Sequence, residues 1–584
     1  MSAPAMHEAG RGRWLGLATL SLGVSMIIVD ATIVNVAVPS IIRDLKLDST
    51  TAEWINTTYA LVFAALLVTL GRLGDVSGRR RMYLLGLLVF IGASVLAGAA
   101  QNGEQLIAAR ILQGVGGAMI LPSTQSILNA NFRGRDRAIA FGIWGSVIGG
   151  MAALGPLLGG WLTTYFSWRW AFFINIPVGL VAIAGTLAYI GESKDEDARP
   201  GFDLPGFLLI TFGLGAFVFG LIEGRNYGWW TPDKPFTIGG WTWPLEQVSV
   251  IPFALGFGLA ALGVFYLVER RRAAQGRFFL FDFTLWRFPG FRYGNLAGSI
   301  VALGEFGLLF ALPLFLQAVL GYSAFETGLV FLSLALGAFV AAPLAANLAR
   351  RFGPRRVVTL GMGLEAAGII AVSFLISPGT SGVVLAVPLF FYGIGVGFAT
   401  AQLTSIVLSD VPVERSGLAS GANSTIRQVG SALGIAILGT VLFVSLSNGA
   451  SERFATIPPP SGLPPAVATE LNDFIVTALE ESAGQVLVPL RDDPSTVNDF
   501  VQLPPEVEAF LASPAARAFF EPYVAAADEA FAEAARMAGL VAAGFVLLGV
   551  LFSLLLPATK PQPVADASAS ESAPAPAMAG PGEA

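Results

Sequence analysis

The chain reads as an all-α integral membrane protein with fourteen transmembrane helices, two bundles of six plus two helices between them. Three observations predict this. Hydrophobic residues make up 54% of the 584 residues and charged residues 13%, about half the charged share usual in soluble domains. Fourteen stretches are apolar over the roughly 20 residues that a helix needs to cross the hydrocarbon core. The basic residues are also lopsided. With the N-terminus inside, 23 of the 34 Lys and Arg fall in cytoplasmic segments and helix ends and 8 in external loops. That asymmetry fixes orientation and puts both termini in the cytoplasm.

The elements follow in order. Residues 1–13 form a cytoplasmic N-terminus. The first span, 14–38, follows Arg11 and Arg13 as a signal peptide would, but it runs past Asp30 with no small-residue cleavage site and is expected to remain. Spans at 51–71, 82–100, 104–129, 137–163 and 169–190 complete a first bundle, 14–190. Between the second and third lies Gly71-Arg72-Leu73-Gly74-Asp75-Val76-Ser77-Gly78-Arg79-Arg80-Arg81, a tight turn with three glycines, one acid and four arginines. Residues 191–290 are a linker holding two extra spans, 204–224 and 247–268. The second bundle, 291–446 and 536–557, has spans at 291–319, 324–348, 356–377, 383–408, 417–446 and 536–557. Ala345 to Arg356 is a degraded copy of the first basic turn, so the halves read as repeats. Residues 447–535 are an external loop domain, punctuated by prolines, with fourteen acids against three arginines between Glu452 and Glu533. It is expected to be an appended element separate from the helical core, either a solvated cap with short helices or a part that handles a partner or substrate, with helical spacing at 466–483 and 505–535, the latter running on into the last span. Residues 558–584, rich in Ala, Pro and Ser, are expected to be a disordered cytoplasmic tail.

Composition also excludes chemistry. There is no cysteine, and the one histidine, His7, lies in the N-terminal tail, so neither a thiol nor an imidazole metal site is expected. No phosphate-binding G-x-x-x-x-G-K-[ST] loop occurs, which argues against ATP as the energy source. No metal, cofactor, nucleic-acid partner or enzymatic constellation is expected. What stands out is charge inside the spans, which is costly and usually functional: Asp30, Arg110, Glu305, Glu365 and Arg427. At about 1.5 Å per residue, Asp30 and Arg110 both fall in the outer half of their spans, so they can pair. Such a pair either couples a proton to helix movement or is a permanent structural bond. Glu305 could pair with Arg427, or with Glu365 could offer negative charge to a cation. Trp54, Tyr59, Trp144, Phe306 and Phe310 either line an apolar cavity or pack between helices.

The basic turn matches G-x-x-x-D-x-x-G-R-[RK]-[RK], the signature loop of the major facilitator superfamily, with Gly71, Asp75, Gly78, Arg79 and Arg80 in place. Asp30-Ala31-Thr32-Ile33-Val34-Asn35-Val36-Ala37-Val38-Pro39 resembles the first-helix motif of the fourteen-spanner drug:proton antiporters of EmrB/QacA type, with Val29 replacing the usual Leu. Arg110, Gln113 and Gly114 match that family's R-x-x-Q-G. Gly150, Gly155, Pro156, Gly159 and Gly160 match its antiporter motif, and the stretches Trp168–Gly179 and Ser420–Gly430, the latter containing Arg427 and Gln428, complete the likeness. It covers about residues 12–446 and 536–557. The resemblance implies the major facilitator fold, a cytoplasmic gate at the basic turn, proton coupling through Asp30 and Arg110, and substrate or coupling contacts among Asn35, Trp54, Tyr59, Glu305, Glu365, Arg427 and Gln428. It implies a multi-pass cell-membrane antiporter whose partners are protons, membrane lipid and amphiphilic drugs or toxic metabolites. A dedicated exporter of a lipid, siderophore or antibiotic, working with an external adaptor protein, is the first alternative. A receptor or assembly subunit on the same scaffold is the second.

Overall fold

The computed structural model describes residues 10–132, 134–194, 203–238, 241–411, 416–458, 475–479, 482–490 and 514–557. The expected polar ends, 1–9 and 558–584, and the side chain of Asp75 lie outside the described residues. The first bundle is α1 (Gly10–Leu45), α2 (Ser49–Ser77), α3 (Arg79–Gly98), α4 (Gly103–Asn131), α5 (Gly134–Tyr165), and the one-turn α6 (Trp170–Phe173) leading into α7 (Asn175–Tyr189). The linker helices are α8 (Leu204–Tyr227) and α9 (Val250–Ala274). The second bundle is α10 (Pro289–Ala318), α11 (Ala324–Phe352), α12 (Pro354–Leu375), α13 (Gly382–Ser409), α14 (Ser416–Phe454) and a final helix, α15 (Pro514–Ser553). Among the described residues, twelve helices are long and apolar enough to span a membrane. The other two expected spans fall in α2 and α5, helices of 29 and 32 residues.

Local chemistry sets the helix ends. Asp48 accepts from the Thr51 N–H at the start of α2, and Asn102 accepts from Gln105 at the start of α4, each satisfying an orphan donor. Ser323 and Glu326 form a reciprocal capping box on α11, the arrangement expected of Ser-x-x-Glu. The turns after α2 and α11 both pivot on a glycine with positive φ, Gly78 at 124° and Gly353 at 87°, a conformation that a Cβ would oppose. The repeat seen in the sequence is thus repeated in backbone geometry. All strand structure among the described residues is a short ladder between α8 and α9, with Thr237 opposite Thr242 and Ile238 opposite Trp241; the all-helical expectation omitted it.

Packing also repeats. In the first bundle α1 lies on α5 and α7, and α4 lies on α2 and α3; in the second α10 lies on α14 and α15, and α13 on α11 and α12. The bundles meet along two seams, α2 on α14 and α5 on α11, while α9 pairs with α8 and α8 rests against α2 and α14. The periphery is apolar: Leu85, Leu88 and Leu96 on α3, Phe253, Phe257 and Leu259 on α9, and Leu547, Leu548 and Leu551 on α15 are all exposed. A soluble protein rarely shows so much apolar surface. In a bilayer it faces lipid.

One expectation needs correction. Part of the external loop does not stand apart from the core. α14 continues to Phe454 and α15 begins at Pro514, so the expected loop is helical at both ends. Ile475, Leu479, Val486 and Leu487 are buried in the main core with Phe454, Tyr523 and Phe531. Gln485 there accepts a hydrogen bond from Arg43 at the end of α1. The cause is apolar: these side chains are enough to close the outer ends of α10, α14 and α15, which bare loop backbone could not do without orphaned polar groups.

Candidate functional site

The expected ion pair is present. Arg110 of α4 donates from Nη1 to Asp30 Oδ2 at 2.5 Å, with the two side chains 1% and 0% exposed. Further bonds satisfy the pair. Arg110 Nε donates to the Ile55 carbonyl of α2 at 3.2 Å, and Nη1 donates also to Gln113 Oε1 at 2.9 Å. Gln113 Nε2 and Asn175 Nδ2 each donate to Asp30 Oδ1 at 2.8 Å, and each also reaches Ser94 Oγ. The guanidinium lies 4.2 Å from the ring centre of Tyr59, within cation–π range. Side chains of α4 and α7 therefore bond the carboxylate of α1 directly, with α2 and α3 bonding the groups that hold it. Breaking so buried a pair by removing one partner costs about 3–5 kcal/mol, so the network ties α1 firmly to α4. Asn175 and Ser94 were not singled out from sequence. Asn175 lies within the Trp168–Gly179 motif, which was a usable signal; a lone Ser in an apolar helix gives none.

The glycine motifs explain how the helices come close enough. A Cβ on Gly114 would sit 2.9 Å from the Tyr59 carbonyl oxygen, so α4 can lie against α2. On α5, a Cβ at Gly155 would meet Thr32 Oγ1 at 1.8 Å and one at Gly159 would meet the Ile33 carbonyl oxygen at 2.7 Å, both on α1. Gly160 faces the other bundle, where its Cβ would lie 2.3 Å from the Ala324 carbonyl oxygen of α11. Pro156 contacts Gly328 of α11 through its carbonyl, and Gly150 lies further back along α5. The ends of α5 and α11 opposite the basic turns are also joined by the Phe325 N–H on Thr164 Oγ1, and α10 reaches α1 through Gln317 Nε2 on the Val36 carbonyl. The two bundles therefore touch at the end opposite the basic turns.

At the basic turn, Gly71 leaves room for Pro122 of α4. The start of α3 is clamped by Glu192, whose carboxylate accepts from the backbone N–H groups of Arg80 and Arg81 while Arg79 N–H donates to the Ser193 carbonyl. An anion at a helix N-terminus is favourable. Glu192, assigned from sequence only to a linker, is thus part of this turn.

The remaining candidates separate. Asn35 accepts from Asn56 of α2. Trp54 donates its indole N–H to Glu223 of α8 at 3.0 Å and packs at the seam where α8 meets α14. Glu305 and Arg427 do come together, lining a small polar cavity along with Asn295, Ser299, Thr404 and Asn423. They share it without an ion pair; among the described residues no carboxylate lies within bonding range of Arg427. Glu365 is 1% exposed on α12, and Gln428 is half-buried beside Arg427.

Two repeated six-helix bundles with a charge network locked in one and a polar cavity in the other define a membrane transporter. The chain belongs to the Major Facilitator Superfamily, which it matches over residues 20–435. It is 33% identical to the multidrug resistance protein Stp of Mycobacterium tuberculosis, over 75% of this chain and 77% of that one. It is 36% identical to the puromycin resistance protein pur8 of Streptomyces alboniger, over 76% and 83%, and 32% identical to the tetracenomycin C resistance and export protein of Streptomyces glaucescens, over 76% and 79%. Among solved structures, a bacterial homolog of the human lysosomal transporter Spinster, inward-facing and unoccupied, superposes with a TM-score of 0.53 at 16% identity, over 94% of this chain and 97% of that one. That likeness carries the fold alone.

Proposed function

We propose that the protein is a transporter, not an enzyme, that exports amphiphilic drugs or toxic metabolites across the cytoplasmic membrane in exchange for protons. The observation that carries this reading is the Asp30–Arg110 pair, sealed within the spans of a chain whose relatives are named for drug resistance. Charge placed there is costly. It is satisfied only while Asp30 is ionised and Arg110, Gln113 and Asn175 all bond to it. A proton on Asp30 cancels the charge that draws in Arg110, frees α4 relative to α1, and so ties proton entry to a change of access. A membrane potential of 100 mV is worth about 2.3 kcal/mol per proton moved, or a gradient of roughly fifty-fold in a neutral solute. Fourteen spans with both termini inside, the turn at Gly71, Asp75, Gly78, Arg79 and Arg80 as cytoplasmic gate, and Asn35 and Gln428 as substrate contacts belong to the same proposal.

The test is flux in proteoliposomes. Purified protein should move ethidium against its gradient when a pH gradient is imposed and stop when an uncoupler is added. Asp30→Asn should abolish the uphill component while the protein remains folded and inserted. Uphill transport by this variant at the normal rate would remove Asp30 from the mechanism. A second reading, export of one dedicated product, is favoured by the relative named for tetracenomycin C export and by the polar cavity of the second bundle. A substrate panel separates the two, since a dedicated exporter leaves ethidium unmoved. An external adaptor belongs to that second reading.

A further inference from the structure

In the N-terminal bundle the buried Asp30 is neutralised by an arginine; the buried Glu365 of the C-terminal bundle has no such ion pair among the described residues. By the repeat, α1, α3 and α4 correspond to α10, α12 and α13. The Asp30 network joins α1, α3, α4 and α7, and on the second side α10, α12 and α13 bring Glu305, Glu365 and Tyr392 to comparable places. Glu365 is 1% exposed, and its Oε2 has no hydrogen-bond partner. Tyr392, also 1% exposed, has an unpartnered hydroxyl. Glu365 lies one helical turn beyond Met362, which lines the polar cavity, and the facing helix is close, since a Cβ on Gly395 of α13 would sit 2.8 Å from Glu365 Cγ. The cavity itself holds Glu305, Arg427 and Asn295, and Asn295 is 1% exposed with a bare Oδ1.

An unpaired carboxylate in a low-dielectric interior is so costly that the group takes up a proton instead. Arg427 is the one cation among the lining residues. We propose that Glu365 and Glu305 form a second proton-binding site, in the C-terminal bundle and separate from Asp30, from which Arg427 displaces the proton when α14 brings it against Glu305. The ligand is a proton, taken from water in the cavity to give a carboxylic acid and returned to water when the carboxylate pairs with the guanidinium. The charged and titratable groups around Glu365 are Glu305 from α10, Tyr392 from α13 and Arg427 from α14. On α15, Arg536 bonds instead to the Ile376 carbonyl at the external end. On α11, Glu326 is held in its capping box and Arg351 sits at the cytoplasmic end. This proposal rests on the export reading only in that the proton is a transported one.

Infrared difference spectroscopy on the full chain in lipid nanodiscs tests the site without any substrate. At neutral pH a protonated-carboxyl C=O band should be present, be lost in Glu365→Gln, and survive in Asp30→Asn. A band that persists unchanged in Glu365→Gln overturns the proposal. If Glu365→Gln fails to fold, Arg427→Gln decides, because without the cation the band should persist to higher pH; an identical pH dependence overturns the proposal. In proteoliposomes, the protons moved per ethidium should fall in Glu365→Gln, and an unchanged ratio counts against a transported proton. If the unmodified protein moves no ethidium, the export reading fails while the infrared result still decides the site.

Discussion

At the scale of the residue, Arg110 is held by four partners at once. It serves Asp30, Gln113, the Ile55 carbonyl and the Tyr59 ring together. A lysine keeps the charge but has neither the planar fork nor the reach to serve all four. Each lost bond to a charged group is worth about 1.5–3 kcal/mol, so Arg110→Lys should lower proton-driven flux by roughly ten- to a hundredfold while membrane insertion is retained. Flux near the normal rate would show that charge alone suffices. The pair was legible in the sequence because two opposite charges at one depth in apolar spans have few other ways to exist. Their neutral supports, Ser94 and Asn175, were not, because uncharged polar side chains in a helix carry no comparable cost to draw attention. Trp54 shows the opposite limit. An aromatic in a span was expected either to line a cavity or to pack, and its indole N–H on Glu223 is a contact that only the folded arrangement reveals.

At the scale of the element, α5 is a two-sided spacer. Gly155 and Gly159 face α1 within one bundle, while Gly160 faces α11 across the bundles. The two faces should respond differently to bulk. Gly155→Val should lower the melting temperature, since overpacking a tight site costs about 1–3 kcal/mol. Gly160→Val should instead hinder closure of the external side. With Thr164→Cys and Phe325→Cys introduced, oxidative cross-linking should be efficient, and the added Gly160→Val should reduce it several-fold; equal cross-linking would show that this contact is not needed for closure. The glycine pattern was readable from sequence, but which glycine served which neighbour was not, because a motif carries spacing and no partner. Helix ends were similarly uneven. Capped starts such as Asp48 and Asn102 fell close to expectation, and the helical spacing expected to run from 505 into the last span appears as α15 from Pro514; α14 outran its apolar stretch, with Ile475, Leu479, Val486 and Leu487 supplying apolar cover there.

At the scale of the whole molecule, the repeat was the most legible feature. The basic turns pointed to it, and the two glycines with positive φ and the matching helix pairs bear it out. The external segment was the least legible, since acid content and prolines suggested a solvated cap and hid the few apolar residues that bury. Replacing 475–490 with a Gly/Ser linker should therefore destabilise the protein, seen as a lower melting temperature in detergent, while the flanking spans still insert. An unchanged melting temperature would mean that these buried contacts contribute nothing net. The linker hairpin has a consequence of another kind. α8, backed by α9, rests on α2 and α14, one helix from each bundle, and so covers one of the two seams from the side. The other seam, between α5 and α11, carries no such helical cover among the described residues. A photoreactive hydrophobic probe delivered from the inner leaflet should label the cytoplasmic halves of those two helices and spare α2 and α14.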